Sequence, residues 1–483
     1  MDANRALKQT CIVKEPEDLE QVRALFGVEG IKITIEGQRH IGASLGSDLF
    51  KNEYVSKKVV NWVKDVESLA VIAKDEPQAA FSAFNVSLSR RWSFLQRTVS
   101  GISENFQPLE DVIREKFIPA IVGKHVSDIE RRMIALPYRH GGLGIQNPTL
   151  TADREYATSV DVTRDLTDMI IAQDMDLKKL DQNKMTEKIN SLKREKEEAL
   201  KLEAREIAQA LDESMRRSFE STQEKGASSW LSALPLRRMG FVLNKQEFCD
   251  AIALRYGWSI PGIPKFCACG AENSIDHTLT CKRGGYVIMR HNALRDLEGN
   301  LMREVCRDVQ IEPGLLPANQ EELREQTNGA PKARLDIAAR GVWSQGEKTF
   351  FDVRVMHSNS PSNRGKTMDQ IYRQNENEKK NFYNDRILNV EKSSFTPLVF
   401  STSGGMAPEC LKLNKRIAEL MAMKRKEEYS VVMAYVRTRL RFALLKSTLI
   451  SIRGYRGKQA TKADDLGLIS FNLVPEGYSY ETS

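Results

Sequence analysis

Two aspartates, Asp336 in "ARLDIAAR" and Asp352 in "FFDVRV", stand inside neighbouring strand-like runs where a sheet normally places apolar residues. Side chains alternate faces along a strand. Leu335, Ile337 and Ala339 therefore share one face and leave Asp336 on the other. Phe351, Val353 and Val355 likewise leave Asp352 and Arg354 together. If the two runs pair antiparallel, both carboxylates and the guanidinium converge on one side. Two carboxylates a few ångströms apart repel unless a cation lies between them, which points to a Mg²⁺-type site. Such an ion could polarise a phosphodiester and lower the pKa of an attacking water. The helical run that precedes the strands has an apolar stripe of Leu294, Leu297, Leu301 and Val305, and Glu304 falls beside it as a candidate third carboxylate. Glu298 is the competing choice. The alternative is that all these acids are edge-strand or surface residues.

A second constellation lies upstream. "CACGAENSIDHTLTC" places Cys267, Cys269, His277 and Cys281 in the spacing C-x-C, seven residues, H-x-x-x-C. Zn²⁺ takes four N/S ligands in a tetrahedron, and a closed set of four is structural rather than catalytic. His277 and Cys281 are one helical turn apart, so both can face one ion. His291 could replace one of the four. The alternative is a set of small buried thiols beside a hydrogen-bonded histidine.

The elements that must position these residues follow from periodicity. The chain of 483 residues exceeds a single core, which favours several domains. Its 41% hydrophobic and 28% charged content excludes a disordered or membrane-embedded protein. No signal-peptide pattern or bilayer-long apolar run stands out. Seven cysteines without a secretion signal suggest a reducing, intracellular setting, nuclear or cytoplasmic. The expected organisation is multidomain: a mainly α-helical N-terminal half, then a zinc knuckle and an α/β domain. In "YVSKKVVNWVKDVESLAVIA", Val55, Val59, Trp62, Val66 and Leu69 mark an amphipathic helix, and "LPYRHGGLGIQNP" reads as a boundary loop. Five segments are expected: 1–150, a charged helical linker at 151–225, the zinc-knuckle region at 226–290, the α/β domain at 291–460 and a polar tail at 461–483. Within the α/β domain the order is helix, strand, strand, helix, strand. A basic helix closes it, with Arg437, Arg439, Arg441, Arg453 and, beyond it, Arg456 offered as phosphate contacts. Arg90 and Arg91 beside Trp92 and Phe94 suit single-stranded or hybrid nucleic acid, or simply core packing of the rings.

A helix carboxylate, an Asp on one strand and Asp-x-Arg on the next resemble the PD-(D/E)xK nuclease superfamily. With the cysteine–histidine cluster upstream and "RHNALRD", "ARLDI" and "FFDVRV" in order, the chain is similar to the C-terminal part of non-LTR (LINE-type) retrotransposon reverse transcriptase polyproteins. "RHIGASLGS", "RRWSFLQRT" and "LPYRHGGLGIQNP" resemble that family's segment after the palm, entering the thumb. The resemblance implies a restriction-endonuclease-like fold at 291–460, structural Zn²⁺ and catalytic Mg²⁺. It also implies target-DNA nicking, with RNA or an RNA–DNA hybrid as further partners and no role at a membrane. Two departures are visible. No aromatic-x-Asp-Asp hairpin of a polymerase is present, since "KADDL" at Asp464 and Asp465 lacks flanking apolar strands. The superfamily's lysine after the second acid is Arg354 here, which keeps the charge but not the proton chemistry. The next helix carries Tyr372, Lys379, Lys380 and Tyr383, which look like the family's Lys/Tyr helix, so Lys379 or Lys380 could supply the missing ammonium.

The leading expectation is a Mg²⁺-dependent endonuclease with Asp336 and Asp352 on the metal, Glu304 assisting, and Arg354, Lys379 and Lys380 near the phosphate. The alternatives are a non-catalytic nucleic-acid-binding remnant and an accessory part of a reverse transcriptase.

Overall fold

A computed structural model of the chain describes residues 10–27, 31–173, 181–318, 327–330 and 332–454; Arg456, Asp464 and Asp465 lie outside them. The chain divides into two compact units, one within Met1–Pro137 and Gly142–Ile207, the other within Tyr138–Gly141 and Ala208–Ser483. Helix predominates among the described residues, beside one small mixed sheet and two strand pairs.

The first unit begins with β1 (Thr10–Ile12), α1 (Leu19–Phe26), β2 (Lys32–Thr34), β3 (Gly37–His40) and β4 (Ala43–Gly46). Ser47 then caps α2 (Asp48–Ala73), accepting from the Phe50 amide. The α2 stripe buries Val55, Val59, Trp62 and Val66, and Ala70 rather than Leu69 extends it. Trp62 meets Trp92 at 6.0 Å and Phe106 at 6.4 Å, while Phe84 of α3 (Pro77–Val86) stacks on Phe117 at 4.6 Å. Trp92 thus belongs to a core, and Arg91 beside it pairs with Asp65 at 2.6 Å. Phe94 is exposed. Short helices α4 (Ser93–Thr98), α5 (Gln107–Val112), α6 (Ile118–Val122) and α7 (Asp128–Ala135) lead to the long α8 (Pro148–Ile171) and α9 (Gln182–Ala210). A buried bidentate pair, Arg131 to Glu110 at 2.7 Å on both oxygens, locks α7 to α5. α9 buries Leu200, Ala204 and Ile207, and it ends at Ala210, so a continuous helical stripe through Leu211 and Met215 is broken there.

The second unit contains α10 (Glu213–Ser221), α11 (Ser229–Ser232), α12 (Lys245–Tyr256), α13 (Ile275–Thr280) and α14 (Tyr286–Val305), then the sheet. Its strands are β5 (Arg307–Ile311), β6 (Ile337–Arg340), β7 (Lys348–Met356) and, after α15 (Met368–Asn389), β8 (Ser394–Ser401), in spatial order β5-β6-β7-β8. β5, β6 and β7 run antiparallel, and β7 and β8 are parallel. β5 was not expected: "RDVQI" reads as the end of the preceding helix. That helix stops where Cys306 takes an extended conformation, and the strand is an edge whose apolar alternation is only two residues long, Val309 and Ile311.

Alternation sorts the sheet into two faces. Ile337, Ala339, Phe351 and Val353 face Leu294, Leu297 and Leu301 of α14, together with α16 (Pro408–Arg425) and α17 (Tyr429–Arg453). Ala338 and Phe350 face Tyr383 and Ile387 of α15. The result is a helix–sheet–helix layering in which β7 is central.

The reading of α17 as a basic surface helix is corrected. Val432, Val436, Leu440 and Leu444 are buried against α14 and α16, and most of the helix circumference is covered. A helix apolar all round is a core helix, and its few cations must find partners inside. Arg441 is buried and donates to the Ala227 carbonyl at 3.0 Å. Arg453 makes a two-pronged pair with the buried Asp250 at 2.7 and 2.8 Å, and Arg439 donates to the Tyr435 hydroxyl at 3.3 Å. Arg437 is half-buried, its Nε without a partner. No phosphate-facing stripe results. Leu440→Ala should therefore lower stability by about 2–5 kcal/mol in urea denaturation; a change within about 0.5 kcal/mol would return α17 to the surface.

Candidate functional site

The cysteine–histidine cluster is assembled by a turn and a capped helix. Gly270, at φ +90°, closes the turn that returns its amide to the Cys267 carbonyl at 2.9 Å. Ser274 then caps α13 by accepting from the His277 amide at 3.1 Å, which sets His277 and Cys281 on the same side. Among the described residues, Cys267, Cys269, His277 and Cys281 form a group whose donor atoms all lie within 4.8 Å of one another. Cys267 Sγ and Cys281 Sγ are 3.8 Å apart, and Cys269 Sγ is 3.3 Å from His277 Nε2. A tetrahedron with Zn–S bonds of about 2.3 Å has S···S edges of about 3.8 Å, whereas a disulfide would need about 2 Å. The Ala271 backbone, hydrogen-bonded to Cys269, holds that thiol below its ordinary pKa and so favours the thiolate a metal takes. The cluster could hold a metal such as zinc. His291 is not part of it.

Where His291 goes instead is informative. β6 begins at Ile337, opposite Phe351, while β7 runs on to Met356, so the Val353 amide and carbonyl face the space that precedes β6. Asp336, in the bend just before β6, accepts from the Val353 amide at 2.6 Å through Oδ2. His291 of α14 brings Nε2 within 3.1 Å of the same oxygen and 3.0 Å of the Val353 carbonyl. Burial opposes charge on His291, but the Asp336 carboxylate outweighs it, leaving its pKa raised. The expectation that His291 could replace a zinc ligand is thereby corrected. Its spacing of three from Leu294 already placed it on the sheet-facing stripe.

Asp352 is 5% exposed, and the β6–β7 register, with Ile337 opposite Phe351, sets it across from Asp336. Lys379 from α15 pairs with its Oδ2 at 2.5 Å. Burial pushes the Asp352 carboxyl above its usual pKa, Lys379 opposes this, and the negative charge of Asp336 adds to the rise. The Lys379 ammonium also lies 5.8 Å from the Tyr383 ring centre. Burial, with Asp352 and Asp336 adding, pushes the Tyr383 phenol up to about 12. Asp336, Asp352, Lys379, His291 and Tyr383 thus come together.

Other expected members do not join them. Glu304 is on the last turn of α14, and its carboxylate pairs with Arg425 of α16 at 2.5 Å. Its position beside the apolar stripe reflected this inter-helix pair. Glu298 is wholly buried between helices, accepting from Asn414 at 2.9 Å, and burial raises its pKa to about 7. Lys380, one step around α15, pairs with Glu409 at 2.8 Å, and Arg354 pairs with Glu378 at 2.7 Å. Tyr372 donates to the half-buried Glu224. One-residue steps on a helix turn side chains by about 100°, which separates Lys379 from Lys380.

Two outcomes are expected. Purified protein should carry a zinc ion by elemental analysis, and Cys281→Ser should lose it and melt earlier; an undiminished melting temperature without metal would remove the structural role. Glu298, with its folded pKa raised from about 4.5 to about 7, favours folding below about pH 4.5, and that contribution is lost as pH rises through about 7. Glu298→Gln should therefore stabilise the protein at pH 8 by on the order of 2–3 kcal/mol and have little effect at pH 4.5, as read from thermal melts at the two pH values. No protein-family model matches the chain and no curated protein matches it, so its function is argued from these residues.

Proposed function

We propose that the second unit is a divalent-metal-dependent DNA endonuclease of the restriction-like type, related to the C-terminal part of LINE-type retrotransposon polyproteins and braced by a zinc knuckle. The observation that carries this reading is the Asp336–Asp352 pair, brought together just before β6 and within β7, with the Lys379 ammonium on Asp352 Oδ2. Mg²⁺ binds through one or two carboxylates and completes its shell with water and substrate phosphate, so the two aspartates suffice for the ion without a third acid once the Lys379 ammonium moves from Asp352 to the phosphate. When bound, the ion supplies Lewis acidity and an ionised water.

The protein's own groups have separate tasks. Lys379, held by Asp352 and the Tyr383 ring, offers positive charge to the attacked phosphate. His291 and the Val353 amide hold the Asp336 carboxylate in one orientation. Arg354 acts at most on the flanking backbone, because Glu378 already holds it. The second reading, a nucleic-acid-binding remnant without catalysis, is favoured by one observation: neither Glu304 nor Glu298 reaches the aspartates.

Supercoiled plasmid incubated with the protein and Mg²⁺ or Mn²⁺ should be nicked. Asp352→Asn should reduce the rate by at least about a hundredfold, and Lys379→Ala by about tenfold or more. Asp336→Ala should also be inactive, but it removes the Val353 cap as well, so Asp352→Asn is the cleaner test. A folded parent that retains zinc and binds DNA without nicking would select the second reading.

A further inference from the structure

The sheet has another edge that the proposed nuclease chemistry does not use. β7 and β8 are parallel, so their carboxyl ends lie together, and open α/β sheets bind ligands in the crevice beyond such ends. His357, Ser358 and Asn359 follow β7 there, and Thr402 and Ser403 follow β8. These residues line a cavity of about 460 Å³ whose far walls come from α10, α12, α17 and the segment before α13. That volume falls within the range of small-molecule sites.

Two guanidiniums line this cavity, Arg255 of α12 and Arg441 of α17, both buried. Arg441 is 6% exposed, and its Nη1 is buried with no hydrogen-bond partner. Among the described residues, no carboxylate pairs with it within 4.0 Å, the range of the ion pairs found elsewhere in the chain. Glu224 is the nearby acid, but Tyr372 and Ser403 hold it, and burial raises its pKa to about 7. Burial and the neighbouring Arg255 push Arg441 down to about 9. An uncompensated buried cation is costly, yet the backbone is shaped to admit this one. A Cβ on Gly404, at φ +100°, would collide with the Arg441 guanidinium, and one on Gly405 would collide with Glu224 and Tyr372. The cavity also contains an unanswered acceptor, since Asn359 Oδ1 is buried without a hydrogen-bond partner. Of the acids on the wall, Asp276 is engaged by His357 Nε2 at 2.7 Å, and Glu272 is exposed.

We propose that this cavity binds a phosphate-bearing ligand of mononucleotide size, with the phosphate on Arg441 beside Arg255 and a hydroxyl or amino donor on Asn359. Arginine presents a planar fork that matches phosphate oxygens, and the hydroxyls of Thr402 and Ser403 add short donors at the strand ends. The ligand is either a free nucleotide or the phosphorylated end of a strand. The site stands apart from the aspartate pair, and its readout is binding rather than cleavage, so the two proposals fail independently.

Calorimetric titration of the full chain with inorganic phosphate, adenosine monophosphate and a 5′-phosphorylated oligonucleotide tests it. The mononucleotide should bind more tightly than inorganic phosphate. Arg441→Gln should weaken binding by about tenfold or more. Asn359→Asp, nearly isosteric and negative, should weaken it by a similar factor while zinc content and melting temperature stay unchanged. Binding of the oligonucleotide but not the mononucleotide would assign the site to a strand end, and the reverse to a free nucleotide. Absence of binding by all three probes, or parental affinity in a folded Asn359→Asp protein, would overturn the assignment.

Discussion

Burying the Asp352 carboxylate in a strand hydrogen-bonded on both sides costs several kcal/mol unless a cation meets it. Much of the second unit can be read as the answer to that cost. α15 lies across the face that carries Asp352 and delivers Lys379 to it, while Tyr383 and Ile387 seal the surroundings against Phe350. β7 outruns β6, and the polar backbone left over at Val353 is met by Asp336 on one atom and His291 on the other. A charge cluster assembled this way is rigid because each member also satisfies something else. Such an arrangement favours chemistry that needs fixed carboxylates.

The same strand connects this cluster to the rest of the unit. At its carboxyl end, His357 bonds to Thr402 beyond β8 and to Asp276 of α13, next to the zinc-type cluster. The cysteine–histidine group is therefore tied to the sheet by a side chain rather than hung on a free linker. α17 completes the unit from the other face, where Val432, Val436 and Leu440 fill the space between α14 and α16. Three of its arginines find partners, Arg453 in Asp250, Arg439 in Tyr435 and the buried Arg441 in the Ala227 carbonyl. Arg441 remains the least compensated, and it borders the cavity at the strand ends.

Local patterns were legible where one physical rule dominated. The stripe of α2, the stripe of α14, the one-turn separation of His277 and Cys281 and the C-x-C…H-x-x-x-C spacing depend on helical or turn geometry within a few residues. The alternation around Asp336 and Asp352 likewise marked two strands, and the structure supplies their antiparallel pairing. Patterns failed where burial was decided by distant partners. β5 is an edge strand whose apolar signature is only Val309 and Ile311, and "RLRFALLKS" looks basic in composition although it lies inside the unit. Glu304 sits beside the stripe because Arg425, more than a hundred residues away in sequence, draws it to α16.

From the sequence alone came the inventory: two aspartates at strand positions, four metal-type ligands at workable spacing, and a lysine–tyrosine helix nearby. Those follow from short-range periodicity, which a linear reading contains. Tertiary structure decided the membership. Lys379 meets Asp352 while Lys380 turns to Glu409, because adjacent helical residues point about 100° apart and the placement of α15 selects between them. His291 leaves the thiolates for Asp336 because α14 packs on the sheet, and only that packing brings residues so far apart in sequence within hydrogen-bond distance.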